Sequence, residues 1–180
     1  MILLVGASAS GKTALSAFLR KEYHFTKTVT YTTRKPRMNE VNGVDYHFVS
    51  NEVFKDMEKN AEFVETTFYN GNFYGSAKSD ISDNKVLIVD PSGLLAYKSL
   101  KNPSIVSFYL EANEETRIAR MKERSDTNVC IRARLENDKN VFTAAIKKEC
   151  NYIVETDAKT LEEIAKEVLK KYKDIIRLKK

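Results

Sequence analysis

Eight residues near the start of the chain, Gly6-Ala7-Ser8-Ala9-Ser10-Gly11-Lys12-Thr13, have the types and spacing to hold a string of phosphates. The pattern is Gly, four residues, then Gly-Lys followed by Ser or Thr. Glycines let the backbone wrap closely, so that successive N–H groups point at phosphate oxygens, and a helix starting at Gly11 adds the positive end of its dipole. Lys12 then reaches the β and γ phosphates, and the Thr13 hydroxyl is placed to ligate Mg²⁺, with water and phosphate completing the shell. Such a loop holds a triphosphate and leaves GTPases, ATPases and small-molecule kinases open.

A second group of residues suits a phosphorylated acceptor. Arg34 and Arg37 can fork onto a dianionic phosphate, and Tyr46 and Tyr74 can each donate a hydroxyl to it. Taken singly, loop arginines are as readily solvated and tyrosines as readily packed. Guanine presents N1–H and a 2-amino group as donors beside its O6 acceptor, so a carboxylate paired with a hydroxyl is its natural reader. Glu65 with Ser76, helped by Thr30, supplies that pair. A GTPase is not indicated: Asp90-Pro91-Ser92-Gly93 fits DxxG, but Ser76-Ala77-Lys78 precedes it in the wrong order and no NKxD is present.

The stretch Thr30-Tyr31-Thr32-Thr33-Arg34-Lys35-Pro36-Arg37, followed by Glu40, Gly43, Asp45-Tyr46 and Phe48-Val49, resembles the GMP-binding segment of guanylate kinases. The likeness continues in Glu62-Phe63-Val64-Glu65 and in Gly71-Asn72-Phe73-Tyr74-Gly75-Ser76. It is dense from residue 2 to residue 93 and continues in outline to the C-terminus. It implies Mg-dependent phosphoryl transfer from ATP to GMP or dGMP within purine nucleotide metabolism. It further implies that Glu65 faces N1 and N2, that Ser76 and Thr30 face O6, that Asp90 helps at N2, and that Arg34, Arg37, Glu40, Tyr46 and Tyr74 complete the GMP site.

Arg120, Arg124, Arg132 and Arg134 flank the polar break Ser125–Asn128 and look like the lid of nucleoside monophosphate kinases. Closure of such a segment brings guanidinium groups to the transferring phosphoryl and excludes water. Arg124 and Arg134 match the family positions, although their interval is one residue shorter than the family's. Lys12, Arg34, Arg124 and Arg134 are therefore the expected catalytic residues. The acceptor is already an ionised phosphate, so neither a covalent intermediate nor a dedicated base is expected. The chain departs from the family at Ile88, where an Asp is common, at Pro91-Ser92, at Glu155-Thr156-Asp157, and at Thr30 in place of Ser.

These residues need an α/β scaffold to position them. Ile2–Val5 reads as a buried parallel strand, and residues 11–22 as a helix. Val29–Thr33 and Tyr46–Val49 read as strands around a loop over residues 34–43. Phe63–Tyr69 and Asn72–Tyr74 flank Asn70-Gly71, the signature of a type I′ hairpin. Lys85–Asp90 and Ile105–Leu110 read as strands buried on both faces, and residues 113–124 and 128–149 as mostly helix. Thr160 and Glu163 form a capping box ahead of Leu161, Ile164, Ala165, Val168, Leu169 and Tyr172 at helical spacing. The expectation is one P-loop domain over residues 1–180, a parallel sheet flanked by helices. Its core is 1–33, 81–123 and 135–180, with a β-rich GMP-binding insertion at 34–80 and a helical lid at 124–134.

Composition agrees with one such domain: 180 residues, 42% hydrophobic and 31% charged. Lys166–Lys180 holds seven basic and two acidic residues, which leaves 23 of each sign elsewhere. The net charge of +5 is thus a property of one C-terminal helix and tail, and nucleic-acid binding is not expected. Cys130 and Cys150 form no CxxC, and His24 and His47 no HExxH. No apolar run approaches the roughly 20 residues of a membrane span, and no leader precedes Ile2, so a cytoplasmic monomer or homodimer is expected. Two other functions fit the same residues. One is a non-catalytic guanylate-kinase-like module binding phosphopeptides through Arg34, Arg37 and Tyr46, against which the intact loop argues. The other is a P-loop kinase for a different phosphorylated small molecule, which leaves Glu65 and Ser76 without a purpose.

Overall fold

The computed structural model describes residues 1–178. The first half of the chain forms β1 (Ile2–Val5), α1 (Lys12–Tyr23), β2 (Thr26–Lys27), β3 (Tyr31–Thr32), β4 (His47–Phe48), α2 (Asn51–Lys59), β5 (Phe63–Tyr69) and β6 (Asn72–Ala77). The second half forms β7 (Lys85–Ile88), α3 (Pro91–Ser99), β8 (Val106–Glu111), α4 (Glu114–Glu123), α5 (Asn128–Val141), α6 (Ala144–Glu149), β9 (Tyr152–Glu155) and α7 (Leu161–Arg177).

The main sheet has the order β2-β7-β1-β8-β9, with every pairing parallel. Its central strand shows why both faces are covered. Ile2 and Leu4 point into a core shared with Leu15 and Leu19 of α1 and Val168 and Leu169 of α7. Leu3 and Val5 point the other way, against Leu94 and Tyr97 of α3. The two-residue period of a strand thus splits one apolar run between two helical layers. On α7 the buried Ile164, Ala165, Val168, Leu169 and Tyr172 form one stripe, and the Thr160–Glu163 capping box is present.

The small sheet has the order β4-β3-β6-β5. Asn70 and Gly71 both have positive φ, 48° and 76°, as a type I′ turn requires. The sheet closes over α2 through stacked rings, Phe54 lying 4.5 Å from Phe63 and 5.4 Å from Phe73. It begins at Tyr31, three residues before the insertion boundary drawn from sequence, because β3 pairs with β6 and β4 rather than with the main sheet.

Other expectations need correction. Ile88 is 39% exposed, because β7 ends there at a cleft and no helix covers it. The helix expected over 128–149 breaks at Phe142, and Thr143 caps a new one by accepting from the Ile146 N–H. Four elements went unread: the short β2, α2, α3 and β9. The signals for the two helices were in the chain, Ser50 capping α2 and Asp90-Pro91 starting α3, Pro at the first helical position being a recognised start signal. The basic C-terminal face runs along α7, where Lys166 pairs with Glu162 and Lys171 with Glu167. Lys179 and Lys180, the end of that tail, lie outside the described residues.

Candidate active site

The β1–α1 loop passes through positive φ at Gly6 (145°), Ala9 (60°) and Gly11 (100°). Gly6 is irreplaceable on packing grounds, since a Cβ there would lie 2.4 Å from the Leu110 carbonyl oxygen and 2.9 Å from Ser10 Oγ. The Lys12 ammonium is drawn back over the loop, donating to the Gly6 and Ala7 carbonyls at 2.6 and 2.7 Å. Burial lowers its pKa from 10.5 to about 8; Asp138 opposes this, and Arg117 and Arg124 add to it. Thr13, on the first turn of α1, is exposed and its hydroxyl has no partner among the described residues.

Residues not predicted for the site hold this loop in shape. Buried Asp138 of α5 accepts from the Ser8 N–H at 3.0 Å and from Ser8 Oγ at 3.1 Å. Arg117 of α4 pairs with Asp138 and donates to the Ser8 carbonyl at 2.8 Å. Arg120 reaches the Ala9 carbonyl at 3.2 Å and the Thr156 carbonyl at 2.7 Å, while the Thr156 hydroxyl donates to the Ser10 carbonyl at 3.2 Å. The loop is thereby tied to α4, α5 and the end of β9. An isolated Asp or Thr in the sequence carries no mark of such a role. A separate cavity of about 330 Å³ opens beside Gly11, between Leu15, Arg120, Arg124, Thr156 and Ile164.

Across the C-terminal edge of the main sheet, a cleft of about 310 Å³ brings together Thr30, Glu65, Tyr74, Ser76, Ile88 and Asp90. Glu65 and Ser76 are register partners on β5 and β6, just past a bulge between Phe63 and Glu65. Ser76 Oγ donates to Glu65 Oε1 at 3.2 Å. The Glu65 carboxyl is raised above its ordinary pKa, chiefly by desolvation, with Ser76 lowering it and Asp90 raising it. Asp90 caps α3, accepting from the Gly93 N–H at 2.8 Å and from Ser92 Oγ at 2.9 Å.

The phosphate-binding candidates form a second wall. Arg34 donates to Glu40 Oε1 at 2.8 Å and lies 5.5 and 5.7 Å from the ring centroids of Tyr46 and Phe48. Tyr46 and Tyr74 meet edge to face at 6.1 Å. Glu40 also accepts from the Arg37 N–H at 2.7 Å, and Arg34 is the main cause that holds its carboxyl below the usual range.

The guanylate kinase family model matches residues 1–175 of the chain. The chain belongs to the guanylate kinase family. As a member it is an ATP:GMP phosphotransferase. Relatives include the guanylate kinase of Chlamydia trachomatis serovar D, 30% identical over 165 residues that cover 87% of this chain and 80% of that one. That of Fusobacterium nucleatum is 29% identical, over 86% of this chain and 93% of that one. In fold, the chain superposes on the guanylate kinase of Anaplasma phagocytophilum with a TM-score of 0.62 at 22% identity, covering 97% of this chain and 84% of that one.

Within this guanylate kinase fold the expected site residues do not all converge. Thr30, Glu65, Tyr74, Ser76 and Asp90 share one cleft, and Arg34, Glu40 and Tyr46 one wall. Arg124 follows the last residue of α4 beside the cavity at Gly11, close enough to influence Lys12. Arg37 and Arg134 have exposed side chains without contacts among the described residues. Arg117 and Arg120 are the arginines that touch the phosphate loop.

Proposed function

We propose that the chain binds Mg-ATP on the Gly6–Thr13 loop and GMP in the Glu65–Ser76 cleft, and transfers the γ-phosphoryl in line between them. The observation that carries this is the Glu65–Ser76 pair, a half-buried carboxylate and a buried hydroxyl 3.2 Å apart on adjacent strands. Glu65 accepts from guanine N1–H and the 2-amino group, and Ser76 and Thr30 donate toward O6. Adenine exchanges donor for acceptor along this edge and leaves buried polar groups unpaired, at about 1–3 kcal/mol each. Asp90, already committed to capping α3, has a second oxygen for the 2-amino group.

Arg34, with Tyr46 and Tyr74, takes the GMP phosphate, and Glu40 acts by orienting Arg34. Arg37 joins once its exposed side chain turns inward. Lys12 exchanges the Gly6 and Ala7 carbonyls for β and γ phosphate oxygens, whose negative charge favours its protonated form. Arg124 neutralises the transferring group, and Arg134 does so only if α5 moves. The base and ribose of ATP fit the cavity beside Gly11.

Mg²⁺ fits the donor set. Thr13 offers a free, exposed hydroxyl, and no group of three or more acidic, His or Cys side chains among the described residues could hold a metal without the nucleotide. Bound there with Thr13 as its protein ligand, the ion would neutralise phosphate charge as the phosphoryl group moves. Among the described residues no helix is long and apolar enough to cross a membrane. From its family and substrates we infer a cytoplasmic enzyme whose partners are its two nucleotides.

The test is ADP formation from ATP over a panel of GMP, dGMP, AMP and IMP, with and without Mg²⁺. Turnover that requires GMP or dGMP together with Mg²⁺ is expected. Folded protein with no GMP-dependent turnover that binds a phosphopeptide instead would replace this reading with the scaffold one.

A further inference from the structure

Tyr97 is fully buried on the sheet-facing side of α3, packed with Leu3, Val5 and Leu94. Its phenol oxygen has no hydrogen-bond partner among the described residues. A buried unpaired hydroxyl costs about 1–3 kcal/mol, and Phe would fill nearly the same volume without it. Packing alone gives no reason for the oxygen.

Its surroundings supply one. Gly93 lies one helical turn before Tyr97 and so shares its face of α3. A Cβ built on Gly93 would stand 3.2 Å from Glu65 Oε2, so this face presses against the inner wall of the base cleft, and Val64 of β5 packs in the same cluster as Tyr97. Burial is the main cause that raises the phenol pKa; the Ser76 hydroxyl opposes it, and the Glu65 and Asp80 carboxylates add to it. Ser76 thus acts on the phenol without the distance and angle of a formed hydrogen bond. Ser76 Oγ, itself buried, makes only a long 3.2 Å bond to Glu65, beyond the usual O–H···O range. The row Tyr97, Ser76, Glu65 therefore holds one loose link and one open one.

We propose that Tyr97 is a positioning residue for base recognition, its hydroxyl donating to Ser76 Oγ when guanine is bound so that Ser76 gives its own proton to the 6-oxo group. The proposal rests on the assignment of Glu65 and Ser76 to the guanine edge. A serine hydroxyl has one proton and two lone pairs and can serve a 6-oxo group as donor or a 6-amino group as acceptor. A phenol donating into one lone pair polarises the serine, strengthening it as a donor and weakening it as an acceptor. The phenol stays protonated throughout the working pH range, so its direction of donation is fixed. Tyr97 thereby biases the cleft toward guanine without touching the base.

The test is Tyr97→Phe in the full chain, assayed with GMP and with 2,6-diaminopurine riboside 5′-monophosphate, which keeps the 2-amino group and replaces the 6-oxo by a 6-amino group. KM for GMP should rise about 3- to 10-fold, the scale of one neutral hydrogen bond. The preference for GMP over the analogue should fall by a similar factor, with kcat and KM for ATP unchanged. The melting temperature should be unchanged or higher. Ser76→Ala should lower the same preference, and Tyr97→Phe should add nothing in that background. An unchanged preference, an undiminished effect on top of Ser76→Ala, or a Tyr97→Phe protein that melts early or fails to fold would each overturn the role given to Tyr97. Ser76→Ala with its preference intact would instead remove Ser76 from the guanine edge, a distinct result.

Discussion

The two proposed nucleotide sites lie on one fold and are made of different material. The triphosphate loop is mostly backbone: its shape comes from positive φ at Gly6, Ala9 and Gly11, and its carbonyls are held by Arg117 and Arg120 of α4 and by Thr156 just past β9. The GMP cleft is mostly side chain: Glu65 and Ser76 read each other across two strands of a small sheet, and Arg34 hangs from a loop by Glu40 and two rings. A backbone site recognises what all nucleoside triphosphates share. A side-chain site recognises what only one base has. Losses on the loop should therefore be catastrophic and indifferent to the acceptor, and losses in the cleft should be graded and selective.

The largest effect should follow Lys12→Met, which keeps the apolar stem and removes the charge. Turnover should fall by at least about 10²–10³-fold, the scale of losing one principal group that stabilises transition-state charge, and equally for every acceptor. Stability should move the other way. The folded pKa of about 8 lies below the ordinary 10.5, so the penalty for burying the charge is fully present below pH 8 and is relieved as pH rises toward 10.5. Wild-type protein should gain stability through that window, and Lys12→Met should lack the gain and melt no lower than wild type at pH 7. Thermal melts across pH 7 to 10 check this. A variant that melts earlier at pH 7 would show that the Gly6 and Ala7 carbonyls need the ammonium more than burial opposes it.

Glu65→Gln comes next and sharpens the other half of the comparison. Its effect should be confined to the base: a loss of about 10- to 100-fold in kcat/KM for GMP, the scale of one or two charged hydrogen bonds, with the ATP dependence unchanged. The raised pKa of Glu65 adds a second signature. Guanine donors need the carboxylate, so GMP affinity should fall as pH drops through a range higher than that of an ordinary glutamate. Calorimetry at a series of pH values would show this in wild type and not in Glu65→Gln; the phosphate's own ionisation is common to both and cancels in the ratio. A parallel fall in both proteins would place the titration on the phosphate and return Glu65 to a packing role.

The same contrast explains what the chain disclosed. The loop was legible because its determinants are contiguous, eight residues between a strand and a helix, and the structure keeps them so. The hairpin was legible because Asn70-Gly71 is a local turn signal, and it carried Glu65 opposite Ser76 with it. Determinants assembled by long-range packing were not legible. Asp138 lies 130 residues from the Ser8 it braces, and nothing around it marks it as other than one more helix acid. Arg134 shows the converse: likeness to the family names it, while its exposed place on α5 is something only the fold shows. Ile88 read as one more buried residue of an apolar strand, yet it is the point where the strand ends at the cleft.

The smallest effect, and the one that separates two explanations by its sign, belongs to Glu40. The likeness to the family places Glu40 among the GMP-binding residues, whereas its carboxylate is committed to Arg34 and the Arg37 N–H. If it acts only through Arg34, Glu40→Gln keeps one acceptor oxygen for Arg34, gives up the bond from the Arg37 N–H, and leaves the guanidinium on the Tyr46 and Phe48 rings. KM for GMP should then rise only about 2- to 5-fold, the modest scale of an ion pair near the surface. If instead its charge chiefly faced the incoming phosphate, removing it would relieve a like-charge repulsion, and GMP would bind more tightly. Initial-rate measurements on Glu40→Gln at low and high salt distinguish the two. A weakening that shrinks with added salt marks the orienting pair, and a tightening would mean that Glu40 faces the phosphate and tempers the charge of the cleft.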